Sequence, residues 1–424
     1  MKNIAFEAAD ILLPKQPADM EKWSVVACDQ FTSQPEYWQE VKENVGGSRS
    51  TYHMILPEAY LLEETDTERM IDGINGNMQR YLADDTFELL ADSLIYVERT
   101  LPDGKIRHGL MGAVDLEAYN YLPGSQSLIR ATEGTVLERI PPRVKIRRHA
   151  PLELPHIMLL IDDEEDAVIG SLASKREQFG KVYDFDMMMG GGHIRGYRLD
   201  EGAKRAVFQS LEKLADQDAF DQKYGVQDKG VLLFAVGDGN HSLATAKECF
   251  EQLKKTMPKE QWENHPARYA LVEVVNVHDD ALEFEPIHRV VFDVDAEKMM
   301  EAMRGYYRVS DERCDGQRIE VVENGKKYSI WIQNPSSNLP VGSLQNFIDA
   351  YTKAHGGSCD YIHGEDVVET LCKKPQTIGF LLPGMQKSQL FETVVLDGVL
   401  PRKTFSMGHA PDKRYYLECR KITD

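Results

Sequence analysis

Six consecutive residues, Gly237-Asp238-Gly239-Asn240-His241-Ser242, hold the residue types that grip an oxyanion. They follow the apolar run Val231–Val236, which reads as a buried strand. Ser242–Lys255, which follows them, carries helical spacing. The two glycines let backbone N–H groups approach a ligand, and the helix start adds free N–H groups and the positive end of its dipole. Asp238 would repel a bare phosphate, so it suits a magnesium ligand or a proton acceptor. Asn240, His241 and Ser242 offer hydrogen bonds to phosphate oxygens. The same residues also make an ordinary turn in which Asp or Ser caps the helix and Gly relieves strain. Both readings stay open at the level of sequence.

Three other stretches carry chemistry. Residues 128–149 hold Arg130, Arg139, Arg143, Lys145, Arg147 and Arg148 against Glu133 and Glu138. Alternation over Val144–Arg148 predicts a strand with Lys145 and Arg147 on one face, suited to a small anion or to pairing with surface carboxylates. In residues 278–289, Glu283 and Glu285 share one strand face, and His288 and Arg289 follow Pro286. That face suits magnesium or plain solvent exposure. Gly190-Gly191-Gly192 with His193 and Arg195 predicts a mobile loop able to close over a ligand, or a permissive connector.

Several classes are excluded. The chain has no G-x-x-x-x-G-K-[ST], H-E-x-x-H or G-x-S-x-G. Gly237-x-Gly239-x-x-Ser242 lacks the third glycine of a dinucleotide fingerprint, and Glu263 is poorly placed as its ribose-binding acid. A nicotinamide oxidoreductase is therefore a minor rival. Across 424 residues, 49 Lys+Arg stand against 69 Asp+Glu, a net charge of −20 that argues against a nucleic-acid partner. No apolar run approaches the ~20 residues of a membrane span, and the first residues do not read as a secretory signal. Six scattered cysteines without a C-x-x-C pair fit a reducing cytosol, so a cytoplasmic location is expected.

The elements that must position these residues mix short strands with helices, giving an α+β fold of mixed sheets with packed helices in two lobes. A hairpin is expected from Leu89–Glu98 and Leu110–Asp115 around Pro102-Asp103-Gly104, and a second over Arg318–Gln333 around Asn324-Gly325. His156–Asp162 reads as a strand leading into an exposed acidic turn, and Glu201–Gln217, Ser343–His355 and Gly364–Lys373 read as helices. The expected lobes are 1–225, with the basic strand, and 226–424, with the glycine-rich turn.

Taken together, GDGNHS, EPIHRVV (285–291), DYIHGEDVVETL (360–371), TIGFLLP (377–383) and LPRKTF (400–405) resemble the bacterial and archaeal family known as domain of unknown function 1015. In that family the turn usually reads Asp-Gly-His-His-Arg. This chain keeps Asp238, Gly239 and His241 but has Asn240 and Ser242 at the other two places, and Thr404-Phe405 where Ser-Thr is more usual. The turn resembles the phosphate-binding turn of the ParB, sulfiredoxin and free-serine-kinase superfamily. The resemblance implies a phosphate-handling site at this turn, with a free-serine kinase the nearest small-molecule enzyme. The expected activity is a phosphotransferase moving a phosphoryl group from ATP, ADP or pyrophosphate to a small hydroxyl compound, free L-serine first among them. Magnesium is expected from the phosphate chemistry itself. A non-catalytic module sensing nucleotide or phosphate is the alternative.

On this reading Asp238, His241 and Arg289 are the catalytic residues, and Asp238 is also the metal ligand. The phosphate contacts are Gly237, Gly239, Asn240, Ser242, Arg143, Arg147, Arg402 and Lys403.

Overall fold

The computed structural model describes residues 4–16, 18–32, 34–62, 67–134, 140–154 and 156–423. Arg139 and Glu138 of the basic stretch lie outside them. The fold is α+β, and the chain divides into two compact units, residues 1–282 with 409–424 and residues 283–408. The boundary expected at 225/226 falls inside the first unit. Phe234–Asp238 pairs there with the earlier strands Met158–Ile161 and Ile129–Ala131, so the turn belongs to the N-terminal sheet rather than to a C-terminal lobe.

That sheet has ten strands, and its path runs Gly180–Asp186, His193–Arg198, Ile95–Thr100, Ile106–Asp115, Tyr269–Asn276, Met158–Ile161, Phe234–Asp238, Ile129–Ala131, Tyr119–Asn120. Phe6–Glu7 pairs off this path with Ile106–Asp115. Central strands such as Tyr269–Asn276 are buried almost end to end, which is why they read as unbroken apolar runs rather than alternating ones. The first expected hairpin forms, with Ile95–Thr100 antiparallel to Ile106–Asp115. Its upstream part breaks at Leu94, and Phe87–Ser93 pairs with Ala9–Pro14 instead. The helix expected at Glu201–Gln217 stops at Leu214, because the Asp216 carboxylate accepts from Ala219 N–H and starts a new helix, Gln217–Tyr224.

Two expectations change. Residues 140–147 form a helix, Ile140–Arg147, not a basic strand. Pro141 and Pro142 sit in its first turn, where no amide hydrogen is needed. Ile140 and Val144, four apart, bury together against Ala244 of the helix that follows the turn. Lys145 faces solvent, while Arg143 and Arg147 share a face.

The triple glycine is a packed hairpin connection. Met187 and Met188 are buried, Met187 N–H donates to Gly192 O at 2.8 Å, and a Cβ at Gly192 would stand 2.1 Å from Thr100 O. His193 lies between Asp184 and Asp186 at 2.7 and 2.6 Å.

The second unit carries a six-stranded antiparallel sheet in the order Val309–Ser310, Lys326–Ile332, Gln317–Glu323, Thr377–Leu381, His288–Phe292, Ser358–Ile362. Its hairpin turns at Asn324 and Gly325, both with positive φ, as the Asn-Gly pair predicts. The helices Pro340–His355 and Glu365–Leu371 match expectation.

Candidate functional site

The site begins with a break in strand pairing. Met158 stands opposite Asp238 and Leu159 opposite Val236, so Gly237 is an extra residue on one strand. Such a bulge bends the strand and redirects the next side chain, here Asp238. Gly239 then takes φ +80°, with its Cα packed where a Cβ would lie 3.0 Å from Ile157 Cα. Both the conformation and the contact select glycine. The helix Asn240–Lys254 follows, and no side chain caps its N-terminus. The plain helix-cap explanation of the turn therefore does not describe this chain.

Asp238 Oδ1 accepts from Gly239 N–H at 2.9 Å, and Oδ2 lies 3.3 Å from Lys413 Nζ. Burial pushes the Asp238 carboxyl up, but Lys413, His156 and the Gly239 N–H outweigh it and hold the group below the usual carboxylate range. Asp238 is thus ionised near neutrality. Lys413 arrives from the far end of the chain on a rigid mount. Arg99 Nη2 donates to Pro411 O and Arg107 Nη1 to Asp412 O, each at 2.9 Å. Arg414, next in sequence, is buried with Glu273 at 2.9 Å and with Glu418.

Beside the turn, Ser242 Oγ lies 3.0 Å from His156 Nε2. Both side chains line a solvent-connected cavity of about 160 Å³, together with Arg143, Arg147 and Thr245. Apolar side chains, among them Met54, Ile55, Leu56 and Leu271, make up much of the rest of its lining. Arg143 pairs with Glu58, and Arg147 lies 2.6 Å from Glu153, so both guanidinium groups enter the wall already partnered. Cys28 also lines the cavity and accepts from the Tyr416 hydroxyl at 3.1 Å. Burial pushes its thiol up to about 12, which keeps it protonated. Asn240 Oδ1 is buried and has no hydrogen-bond partner among the described residues.

Of the residues expected from sequence, Ser242, Arg143 and Arg147 line the cavity, while Gly237, Asp238, Gly239 and Asn240 form the adjoining turn and helix start without lining it. His241 sits on the first helical turn but is not among the side chains lining the cavity.

Arg289, Arg402 and Lys403 belong to the second unit. Arg289 is fully buried, and its guanidinium donates to Gln345 Oε1, Ile287 O, Arg402 O and Lys403 O. It stacks over the Tyr361 ring at 4.6 Å, a role in packing. His288 is likewise structural, accepting from Leu382 N–H at 3.1 Å.

Lys413 and His156 were missing from the sequence reading. Nothing local marks them, since one sits in a C-terminal segment and the other just before a strand.

The residues around Asp238 do not form a resident magnesium site. Among the described residues the Asp238 carboxylate faces the Lys413 ammonium at 3.3 Å, and one carboxylate is too few ligands for a protein-held ion. The one carboxylate–histidine group of metal-binding shape among the described residues is Asp162, Glu164 and His278. There the Lys223 ammonium lies 2.9 and 3.1 Å from the two carboxylates. No described helix is long and apolar enough to cross a membrane.

The fold and site thus define an α+β protein with a bulged strand, a glycine turn and an uncapped helix beside a cavity lined by both polar and apolar side chains. The chain belongs to the family described as protein of unknown function (DUF1015), which matches residues 12–351. Among solved structures it is similar to SbnI with a C-terminal truncation from Staphylococcus aureus, at 10% identity and TM-score 0.37, covering 74% of this chain and 87% of that one. A free serine kinase variant in complex with ADP has 10% identity and TM-score 0.38, covering 75% and 93%. A conserved hypothetical protein from Pyrococcus furiosus has 10% identity and TM-score 0.34, covering 73% and 94%. No curated protein matches the chain.

Proposed function

We propose that this protein is a phosphotransferase that moves a phosphoryl group from ATP, ADP or pyrophosphate to a small hydroxyl acceptor, with free L-serine the first acceptor to test. The observation that carries the reading is the ionised Asp238 beside Lys413, at an uncapped helix start next to the cavity that holds Ser242 and His156. Backbone N–H groups of the helix start and the Lys413 ammonium would hold the donor phosphates. This assigns to Lys413 the cationic role that the turn gives up by carrying Ser242 in place of arginine.

Electrostatic stabilisation is the main contribution available to such a site. Arg147 and Arg143 face the same cavity, and a bound phosphate would share them with Glu153 and Glu58. Asp238, held ionised, orients the donor through Lys413. Its lowered affinity for protons makes it a poor general base. Magnesium would arrive as part of the donor's polyphosphate complex rather than wait in the protein.

Phosphorus NMR tests the reading directly. Protein with magnesium and L-serine is mixed with ATP, ADP or pyrophosphate in separate tubes. A phosphoserine resonance in any tube is expected and identifies the donor. Broadening of a donor signal without product would favour a binding module, and no broadening in any tube would refute phosphate handling by this turn.

A further inference from the structure

We propose that Ser242 is a nucleophile activated by His156, and that the phosphoryl group crosses the site on the Ser242 oxygen. The covalent step rests on the phosphotransfer reading, whereas the activated pair stands on its own geometry. Ser242 Oγ and His156 Nε2 are 3.0 Å apart, within reach for direct proton transfer. A serine on the first turn of a helix usually caps it or faces water. Here the hydroxyl turns away from the helix, onto an imidazole, at the wall of a solvent-connected cavity.

The imidazole is itself fixed in place. His156 is 8% exposed and packs edge-on against the Tyr416 ring at 5.4 Å. Asp238, held ionised below the usual carboxylate range, stands four residues before Ser242 at the end of the strand that leads into this helix. A hydroxyl within hydrogen-bond reach of a base that packing holds in place makes up an activated nucleophile. The cavity's one thiol, Cys28, donates no competing thiolate, being held protonated by burial.

In the first half-reaction Ser242 Oγ bonds to the donor's terminal phosphorus, and the bond from that phosphorus to the bridging oxygen breaks. The electron pair leaves with the shortened donor. The Ser242 proton passes to His156 Nε2 and on to the departing oxygen. In the second half the acceptor hydroxyl gives its proton to His156 and bonds to phosphorus. The bond from phosphorus to Ser242 Oγ then breaks, and Oγ recovers a proton from His156. Lys413 and the helix N–H groups offset charge on the phosphoryl oxygens in both halves.

Two arms test this on the full chain. A fluorophosphonate probe needs only an activated serine, and peptide mass mapping should place its adduct on Ser242. Ser242→Ala should abolish the adduct, and His156→Gln should slow its formation by about a hundredfold or more, the scale of a lost general base. Circular dichroism checks that both variants fold, and Ser242→Cys should move labelling to an alkylating reagent that leaves Cys28 untouched.

In the second arm, incubation with ATP, ADP or pyrophosphate should leave one phosphoryl group on Ser242, which added L-serine removes. No fluorophosphonate adduct on Ser242 in the folded protein overturns the activated pair. Phosphoserine product formed by Ser242→Ala at the wild-type rate overturns the covalent step while leaving phosphotransfer standing. An adduct on Ser242 with no phosphoryl group from any donor upholds the pair and refutes its use in phosphoryl transfer.

Discussion

Lys413 Nζ lies 3.3 Å from Asp238 Oδ2 and joins the C-terminal segment to the glycine turn. Burial pushes the Asp238 carboxyl up, and this contact is the foremost of the interactions that bring it down, ahead of His156 and the Gly239 N–H. A carboxyl lowered on folding stabilises the protein above its unfolded value, about 3.9, and loses that contribution as pH falls through the folded value. Removing the ammonium in Lys413→Met takes away the foremost of these lowering interactions, so the folded Asp238 value rises. Urea unfolding between about pH 3 and pH 6 should then show less stability lost on acidification than in wild type. An unchanged pH slope would mean that Lys413 does not hold Asp238 ionised.

Asp238→Asn keeps the shape of the turn and the acceptor for Gly239 N–H, but removes the charge facing Lys413 and His156. Phosphoryl transfer should fall by about a hundredfold or more, the scale of one lost preorganised electrostatic group. The circular dichroism spectrum should not change. A variant with near-wild-type rate in the phosphorus NMR assay removes Asp238 from the machinery.

Arg107→Met tests the mount beneath Lys413. The Arg107 guanidinium donates to Asp412 O at 2.9 Å and is 4% exposed. Losing a hydrogen bond to a buried charged group costs about 1.5–3 kcal/mol, so chemical denaturation should show a drop of that size. Amide exchange over residues 410–413 should quicken before exchange elsewhere in the sheet. Equal exchange in both proteins would mean that the segment is held by something other than this contact.

Legibility followed the range of the interactions. The turn, its strand and its helix were readable because the apolar run, the glycines and the helical spacing are all local. The Asn324-Gly325 hairpin was readable for the same reason. The alternation in Val144–Arg148 misled, because alternating basic residues carry no sign of the burial that decides the element. Ile140 and Val144 anchor a helix on Ala244, a contact a hundred residues away. Arg289 misled differently. An arginine beside a motif looks like a ligand, and only the carbonyls of Arg402 and Lys403 and the Gln345 amide reveal that its donors are spent. Lys413 and His156 reach the turn by chain folding alone.

Gly239→Ala addresses the turn itself. At φ +80° an alanine pays for a left-handed backbone, roughly 1–2 kcal/mol, and its methyl meets Ile157 Cα at 3.0 Å. The nearest atom is backbone rather than a side-chain tip, so the methyl cannot be relieved by rotating a side chain. The helix start has to shift instead, carrying Ser242 away from His156. Thermal unfolding should fall modestly, while fluorophosphonate labelling of Ser242 should fall much further. Stability loss without labelling loss would show that the turn tolerates the methyl by local strain and that the Ser242–His156 distance does not depend on Gly239.

Arg289→Met separates the two units by function. Its guanidinium serves carbonyls and Gln345 within residues 283–408, so the expected cost is one of stability, about 1.5–3 kcal/mol for buried hydrogen bonds to a charged group. Tyr361, which the guanidinium covers, should become more exposed and its fluorescence should change accordingly. Below the unfolding transition, donor affinity and labelling at Ser242 should match wild type, because the turn, Lys413 and the cavity all lie in the other unit. If donor binding instead disappears while the protein remains folded, the second unit contributes directly to phosphate recognition and the assignment of Arg289 to packing fails.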